Sequence, residues 1–124
     1  MDRTSFMRGV LWLGAFFNFS AALMLAFPQS LGRVIGLPTP GSMFYPWMLA
    51  LLIGIFAGVY AWLARRPQID RPLVVVAAIG KVGVFMVAMM SWLLGEIPGR
   101  GLMPAVGDLI FAAVFLWWLQ GESP

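Results

Sequence analysis

Four apolar runs, at roughly residues 6–27, 44–64, 73–94 and 102–119, occupy most of the chain and leave only short polar segments between them. Each approaches the ~20 residues that a helix needs to cross a hydrocarbon core about 30 Å thick. The last run is the shortest, so it is expected to stand nearly upright or to thin the bilayer slightly. Proline placement supports the same limits. Pro46, Pro72 and Pro104 are read as first-turn residues, where a missing N–H costs little, while Pro28, Pro67 and Pro98 follow the ends of the first three runs. With connections this short, consecutive helices should be antiparallel neighbours. The predicted fold is an all-α membrane protein: one four-transmembrane-helix bundle spanning residues 1–124.

The composition agrees. The chain is 61% hydrophobic and only 10% charged, against about 25% charged in a typical soluble domain. Eight basic and five acidic side chains are too few to cover a water-facing surface. The net charge of +3 does not indicate nucleic acid, because the arginines are scattered over short loops and form no basic stripe. The chain has no Cys, which excludes disulfides, thiolate nucleophiles and Cys-held clusters. It has no His either, which removes the usual haem and transition-metal ligand and the near-neutral proton shuttle. Neither a cofactor nor a metal is expected.

Residues 1–27 could be mistaken for a signal peptide, since Arg3 and Arg8 precede an apolar stretch. That stretch outruns the usual core of about 7–15 residues, so it is read as the first membrane helix. Orientation follows from the arginines. With the N-terminus in the cytoplasm, Arg3, Arg8, Arg65, Arg66 and Arg71 lie inside, and only Arg33 and Arg100 lie outside. Both termini are therefore expected in the cytoplasm. Trp47 and Trp92 then fall near the outer boundary and Trp62, Trp117 and Trp118 near the inner one, with Trp12 deeper than a belt residue should be. The longest connection, residues 28–43, is either an inert connector or an interfacial turn resting Leu31, Val34, Ile35 and Leu37 on the outer leaflet.

Three strongly polar residues lie inside the spans: Asn18, Lys81 and Asp108. At a rise of about 1.5 Å per residue, Asn18 and Asp108 lie about 18 Å from the cytoplasmic ends and Lys81 about 13 Å, close enough to share one layer. Each has small residues one turn away: Gly14, Ala15, Ala21 and Ala22 around Asn18, Ala77 and Ala78 below Lys81, and Ala105 and Ala112 around Asp108. Small residues concentrate where membrane helices touch, so all three polar side chains should face other helices. A central Lys or Asp costs about 2.5–3.5 kcal/mol on insertion scales. The leucine-, isoleucine-, valine- and phenylalanine-rich third run absorbs that cost at about −0.3 to −0.6 kcal/mol per central residue. The sequence therefore predicts a buried Lys81–Asp108 pair with Asn18 completing the hydrogen bonding. Three roles stay open: a structural staple, a site that binds a polar head group or moves a proton, or no pairing, with Lys81 snorkelling to the surface.

The second run carries no such residue but offers Ala50, Gly54, Ala57, Gly58 and Ala61, a small-residue stripe for another helix of the bundle or of a partner. Gly14, Gly54, Gly58 and Gly80 are the expected packing glycines. The nine methionines, Met86, Met89 and Met90 among them, read as core and lipid-facing filler rather than a pocket lining. Glu96 and Arg100 read as interfacial. Ser20 and Ser91 are suited to bonding back to their own helices. No internal repeat or second domain is evident in the residue pattern.

The segments Gly14-Ala-Phe-Phe-Asn18, Ile79-Gly-Lys81-Val-Gly-Val-Phe85 and Gly107-Asp108-Leu-Ile-Phe111 together resemble small bacterial four-helix membrane proteins, a group without an established activity to transfer. Small multidrug transporters are similar in size but use a membrane glutamate in the first helix, where this chain has Asn18. Dual-topology fluoride channels are opposed by the arginine bias. Sterol-isomerase-like proteins use several membrane carboxylates, and only Asp108 is available. The expectation is an integral protein of the bacterial cytoplasmic (inner) membrane, non-enzymatic, acting as an accessory or structural subunit. Its partners would be membrane lipids and other membrane subunits or itself. The alternative is a small transporter or a lipid- or solute-binding protein centred on Asn18, Lys81 and Asp108.

Overall fold

The computed structural model describes residues 2–121, and its regular elements are helices, with no strand among those residues. Four helices are long and apolar enough to cross a membrane: α1 (Arg3–Ala26), α2 (Phe44–Arg65), α3 (Arg71–Leu93) and α4 (Gly99–Leu119).

Three helices begin two to three residues earlier than the apolar runs suggested, and capping chemistry accounts for two of them. Asp2 accepts the Ser5 N–H at 2.7 Å and Asp70 accepts the Leu73 N–H at 3.3 Å, each satisfying a first-turn donor that has no partner within the helix. Pro72, beside the start of α3, is preset for helix. The Ser5 bond also holds the exposed Asp2 carboxyl below its ordinary range, so this cap is lost only as pH falls through that lowered value. α4 starts at Gly99, which places Pro104 in the second turn rather than the first turn expected from the sequence. Its ring removes the N–H that would reach the Arg100 carbonyl, near a helix end where water can replace it.

The chain divides into two compact units, Asp2–Pro67 and the segment from Gln68 onward. In the first, α1 packs on α2, and its buried side chains include Met7, Leu11, Ala57, Tyr60 and Leu63. A Cβ placed on Gly54 would lie 3.9 Å from that of Ala22, so this glycine faces α1. Arg8 ties the start of α1 to the end of α2: Nη1 donates to the Ala64 carbonyl at 2.9 Å and also to that of Arg66, and Nη2 donates to Pro67 at 2.9 Å. At the other end Trp47 Nε1 donates to the Ala26 carbonyl at 3.1 Å. In the second unit α3 packs on α4, with Val74, Ala77, Ala112 and Phe115 buried. Here Arg71 Nη2 donates to the Leu119 carbonyl, and its guanidinium lies 5.2 Å from the Trp118 ring centre.

The connections are built from turn chemistry. After α3, the Glu96 N–H returns to the Ser91 carbonyl and the Gly95 N–H to that of Trp92, with Gly95 in the left-handed region at φ 78°, a Schellman ending. The longer connection contains one 3-10 turn, Gly32–Ile35, closed by Gly36 at φ 75°. Gly32 is pressed against its surroundings, because a Cβ there would lie 2.9 Å from the Met24 carbonyl oxygen and 2.9 Å from Leu37 Cδ1. Ser20 and Ser91 donate to the Phe16 and Val87 carbonyls, both at 2.9 Å, within their own helices.

Two measurements check these assignments. Arg8→Ala should lower stability in mild detergent by about 1–2 kcal/mol, since it leaves the Ala64, Arg66 and Pro67 carbonyls to solvent. Arg8→Lys should recover only part of that, because an ammonium lacks the planar fork that reaches several carbonyls at once. Gly32→Ala should cost about 1–3 kcal/mol through overpacking against the Met24 backbone and expose residues 28–43 to added protease. The same substitution at Gly9, inside α1 where a Cβ meets nothing within 4 Å, should cost nothing and stabilise the helix by up to about 1 kcal/mol.

Candidate functional site

The polar residues inside the spans arise from helices that are otherwise committed to lipid and to each other, so their partners are the first question. Lys81 on α3 extends its Nζ to 2.7 Å from Asp108 Oδ1 on α4. The two side chains are 5% and 13% exposed. Phe111, one turn beyond Asp108, presents its ring 5.1 Å from Nζ, and Phe115 follows one turn further at 6.1 Å between centroids. The ammonium is thus held between a carboxylate and an aromatic face, two stabilisers that both gain strength when water is excluded.

Asn18 lies in the other unit. Its Nδ2 donates to the Ile53 carbonyl of α2 at 3.3 Å. Among the described residues, no buried side-chain nitrogen or oxygen lacks a hydrogen-bond partner. Of the glycines expected at packing faces, Gly14 is buried and Gly54 meets α1. A Cβ on Gly58 or Gly80 would meet no described atom within 4 Å.

Placed side by side, the two units follow one plan that the residue pattern did not reveal. Ten residues separate the boundary arginine Arg8 from Asn18, and ten separate Arg71 from Lys81. On the facing helices, eleven residues separate Ile53 from Ala64, and eleven separate Asp108 from Leu119. The match extends to the packing. Leu11, Gly14 and Asn18 on α1 are buried at the same spacing as Val74, Ala77 and Lys81 on α3. Likewise Ala57 and Tyr60 on α2 correspond to Ala112 and Phe115 on α4. Even the aromatic pairs agree, Phe56 with Tyr60 at 6.0 Å and Phe111 with Phe115 at 6.1 Å. In this register the Lys81–Asp108 ion pair occupies the place held in the first unit by an uncharged amide-to-carbonyl bond.

Sequence reasoning singled out Asn18, Lys81 and Asp108 by their cost in lipid. It passed over Arg8 and Arg71 as topology markers, although each fastens two helices. The available signal was position: both lie within the first turns of a helix, whose neighbour must end close by when the loop is short.

Chemically, one carboxylate engaged by one ammonium is charge-neutral, and Asp108 is the only acidic residue within the spans. Among the described residues, no three of Asp, Glu, His or Cys come together to offer a metal a ligand set.

The register match sets a sharp test. Lys81→Met alone or Asp108→Leu alone should each destabilise the protein by about 2.5–3.5 kcal/mol, the cost of a stranded charge in lipid. Combining Lys81→Asn with Asp108→Ile, which copies the neutral bond of the first unit, should restore stability to within about 1 kcal/mol. Unfolding in mixed micelles gives all three values, and equal tolerance of both single variants would show that the pair is not energetically coupled. No protein-family model matches the chain, and neither a curated protein nor a solved structure shows significant similarity to it.

Proposed function

We propose that this is a non-enzymatic integral protein of the bacterial cytoplasmic membrane that serves as an accessory or structural subunit of a larger membrane assembly. Four crossings in alternating, antiparallel directions form its bundle, with both termini in the cytoplasm. The arginine distribution supports that orientation, with Arg3, Arg8, Arg65, Arg66 and Arg71 on one side and Arg33 and Arg100 on the other.

The observation that carries the reading is the register equivalence of Lys81–Asp108 with Asn18–Ile53. A site that moves a proton or holds a solute needs a group left available to its ligand. Here the same position in both units is used to tie one helix to the next, once without charge and once with a balanced pair. The charged version adds partner choice. If α3 paired with α2 instead of α4, Lys81 and Asp108 would each be stranded in lipid, so the pair fixes which helices belong together. Between the helices lie only the connections at residues 27–43, 66–70 and 94–98, and the helices offer broad apolar faces, among them Phe16, Val87 and Met103 at about 70% exposure. Such a molecule has its recognition surface within the membrane.

Native mass spectrometry of the chain, released gently from its own membrane, tests this reading. The expected result is a stable complex with other membrane subunits. A lone chain or homodimer that retains a small molecule, together with solute flux in proteoliposomes abolished by the Lys81→Asn/Asp108→Ile double variant, would replace it with the transport reading.

A further inference from the structure

The two units differ at one place where their common plan predicts no difference. In both, a carbonyl in the last turn of the second helix accepts from an arginine of the first, Ala64 from Arg8 in α2 and Leu119 from Arg71 in α4. α4 then finishes with the uncharged Gln120 and Gly121. α2 instead finishes with Arg65 and Arg66 at the same register, both exposed. The Lys81–Asp108 ion pair involves neither of them, and the nearest acidic side chain in sequence, Asp70, caps α3. Arg65 and Arg66 are therefore surplus positive charge.

Their surroundings are those of a headgroup seat. The Arg66 guanidinium lies 4.7 Å from the centre of the Trp62 ring, one turn earlier, which holds it against the flank of the helix at the level where tryptophan marks the membrane boundary. That indole is itself 46% exposed. One further turn into the membrane comes Gly58, exposed, with no described atom within 4 Å of where its Cβ would be. Ile55, exposed, closes the far side of this gap. At 100° per residue, Ile55, Gly58, Trp62, Arg65 and Arg66 share one face of α2. That face offers a notch between two bulky apolar side chains, with two exposed arginines at its boundary end. At the register of Gly58, α4 carries the exposed Ala113, whose methyl makes the corresponding position shallower.

We propose that this face of α2 binds an anionic phospholipid, its phosphate bridged by Arg65 and Arg66 and one acyl chain lying in the notch at Gly58. Charge complementarity selects the occupant. A planar guanidinium grips a phosphate through two parallel hydrogen bonds, and two of them favour a headgroup with net negative charge over a zwitterionic one. General attraction to an anionic leaflet would act on any basic residue near the surface. The geometry goes further, predicting a saturable site with one lipid per chain and sensitivity to the shape of the notch.

Native mass spectrometry of the intact chain, titrated with phosphatidylglycerol or phosphatidylcholine, reads this directly. The expected result is one retained phosphatidylglycerol per chain. Arg65→Gln with Arg66→Gln should weaken its retention at least about tenfold, as expected for two surface arginines, and leave phosphatidylcholine unaffected. Gly58→Leu should also weaken phosphatidylglycerol retention while keeping both arginines, and Arg33→Gln on the opposite side should change nothing. Accessibility of a single cysteine introduced into the 28–43 connection of the otherwise Cys-free chain, read in cells, confirms that the variants keep their orientation. Retention of phosphatidylglycerol unchanged in both the double variant and Gly58→Leu would overturn the proposal and leave the two arginines as determinants of orientation alone. A homodimer dissociated by Gly58→Leu with lipid retention intact would also overturn it, assigning the face to a second copy.

Discussion

A helix that ends at the edge of a bilayer leaves its last four carbonyls without partners in the helix, and the surroundings offer little water to replace them. In this protein an arginine from the start of the preceding helix takes up that role. Arg8 donates to Ala64 in the last turn of α2 and to Arg66 and Pro67 just beyond it, and Arg71 donates to Leu119 at the end of α4. Because an arginine's position in its own helix fixes where its neighbour must end, the clamp also sets register. Ten or eleven residues further into the membrane, that register brings Asn18 to the Ile53 carbonyl and Lys81 to Asp108. The midspan bonds are then where the clamps place them.

This explains which parts of the structure could be read from the residues. The spans were legible because length and apolarity are direct consequences of bilayer thickness. Helix starts were displaced by two to three residues, since hydropathy registers where polarity ends while capping registers where hydrogen bonding begins. Asp70 followed by Arg71 and Pro72 is a start signal in its own right, an acceptor followed by a preset backbone. Pro104 was placed a turn too early because the polar residues 99–101 already belong to α4.

The candidate site was legible in part. Lys81 and Asp108 stand out because each is expensive alone, and cost points to a partner. Asn18 stood out equally, yet its described bond is to a backbone carbonyl, and every residue offers one, so composition gives no hint of which. The shared plan of the two units was not legible at all. Leu11 and Val74, Gly14 and Ala77, or Tyr60 and Phe115 are equivalent by volume and burial and not by identity, and packing selects for volume.

Two units with nearly the same sockets create a pairing problem. Gly14 and Ala77 present similar small faces, Ala57 and Ala112 are buried at matching positions on the helices that pack against them, and apolar matching alone distinguishes α2 poorly from α4 as a partner for α3. Lipid offers no help, since its tails are as apolar as leucine. A neutral bond such as Asn18 to Ile53 is similarly indifferent, because a backbone carbonyl is available at the same depth on either helix. An ion pair is not indifferent. Exchange of partners strands one ammonium and one carboxylate, each at about 2.5–3.5 kcal/mol, so together the wrong pairing costs some four orders of magnitude in population. One charged pair suffices for both units, because once α3 and α4 have found each other, α1 and α2 are left to pair with what remains.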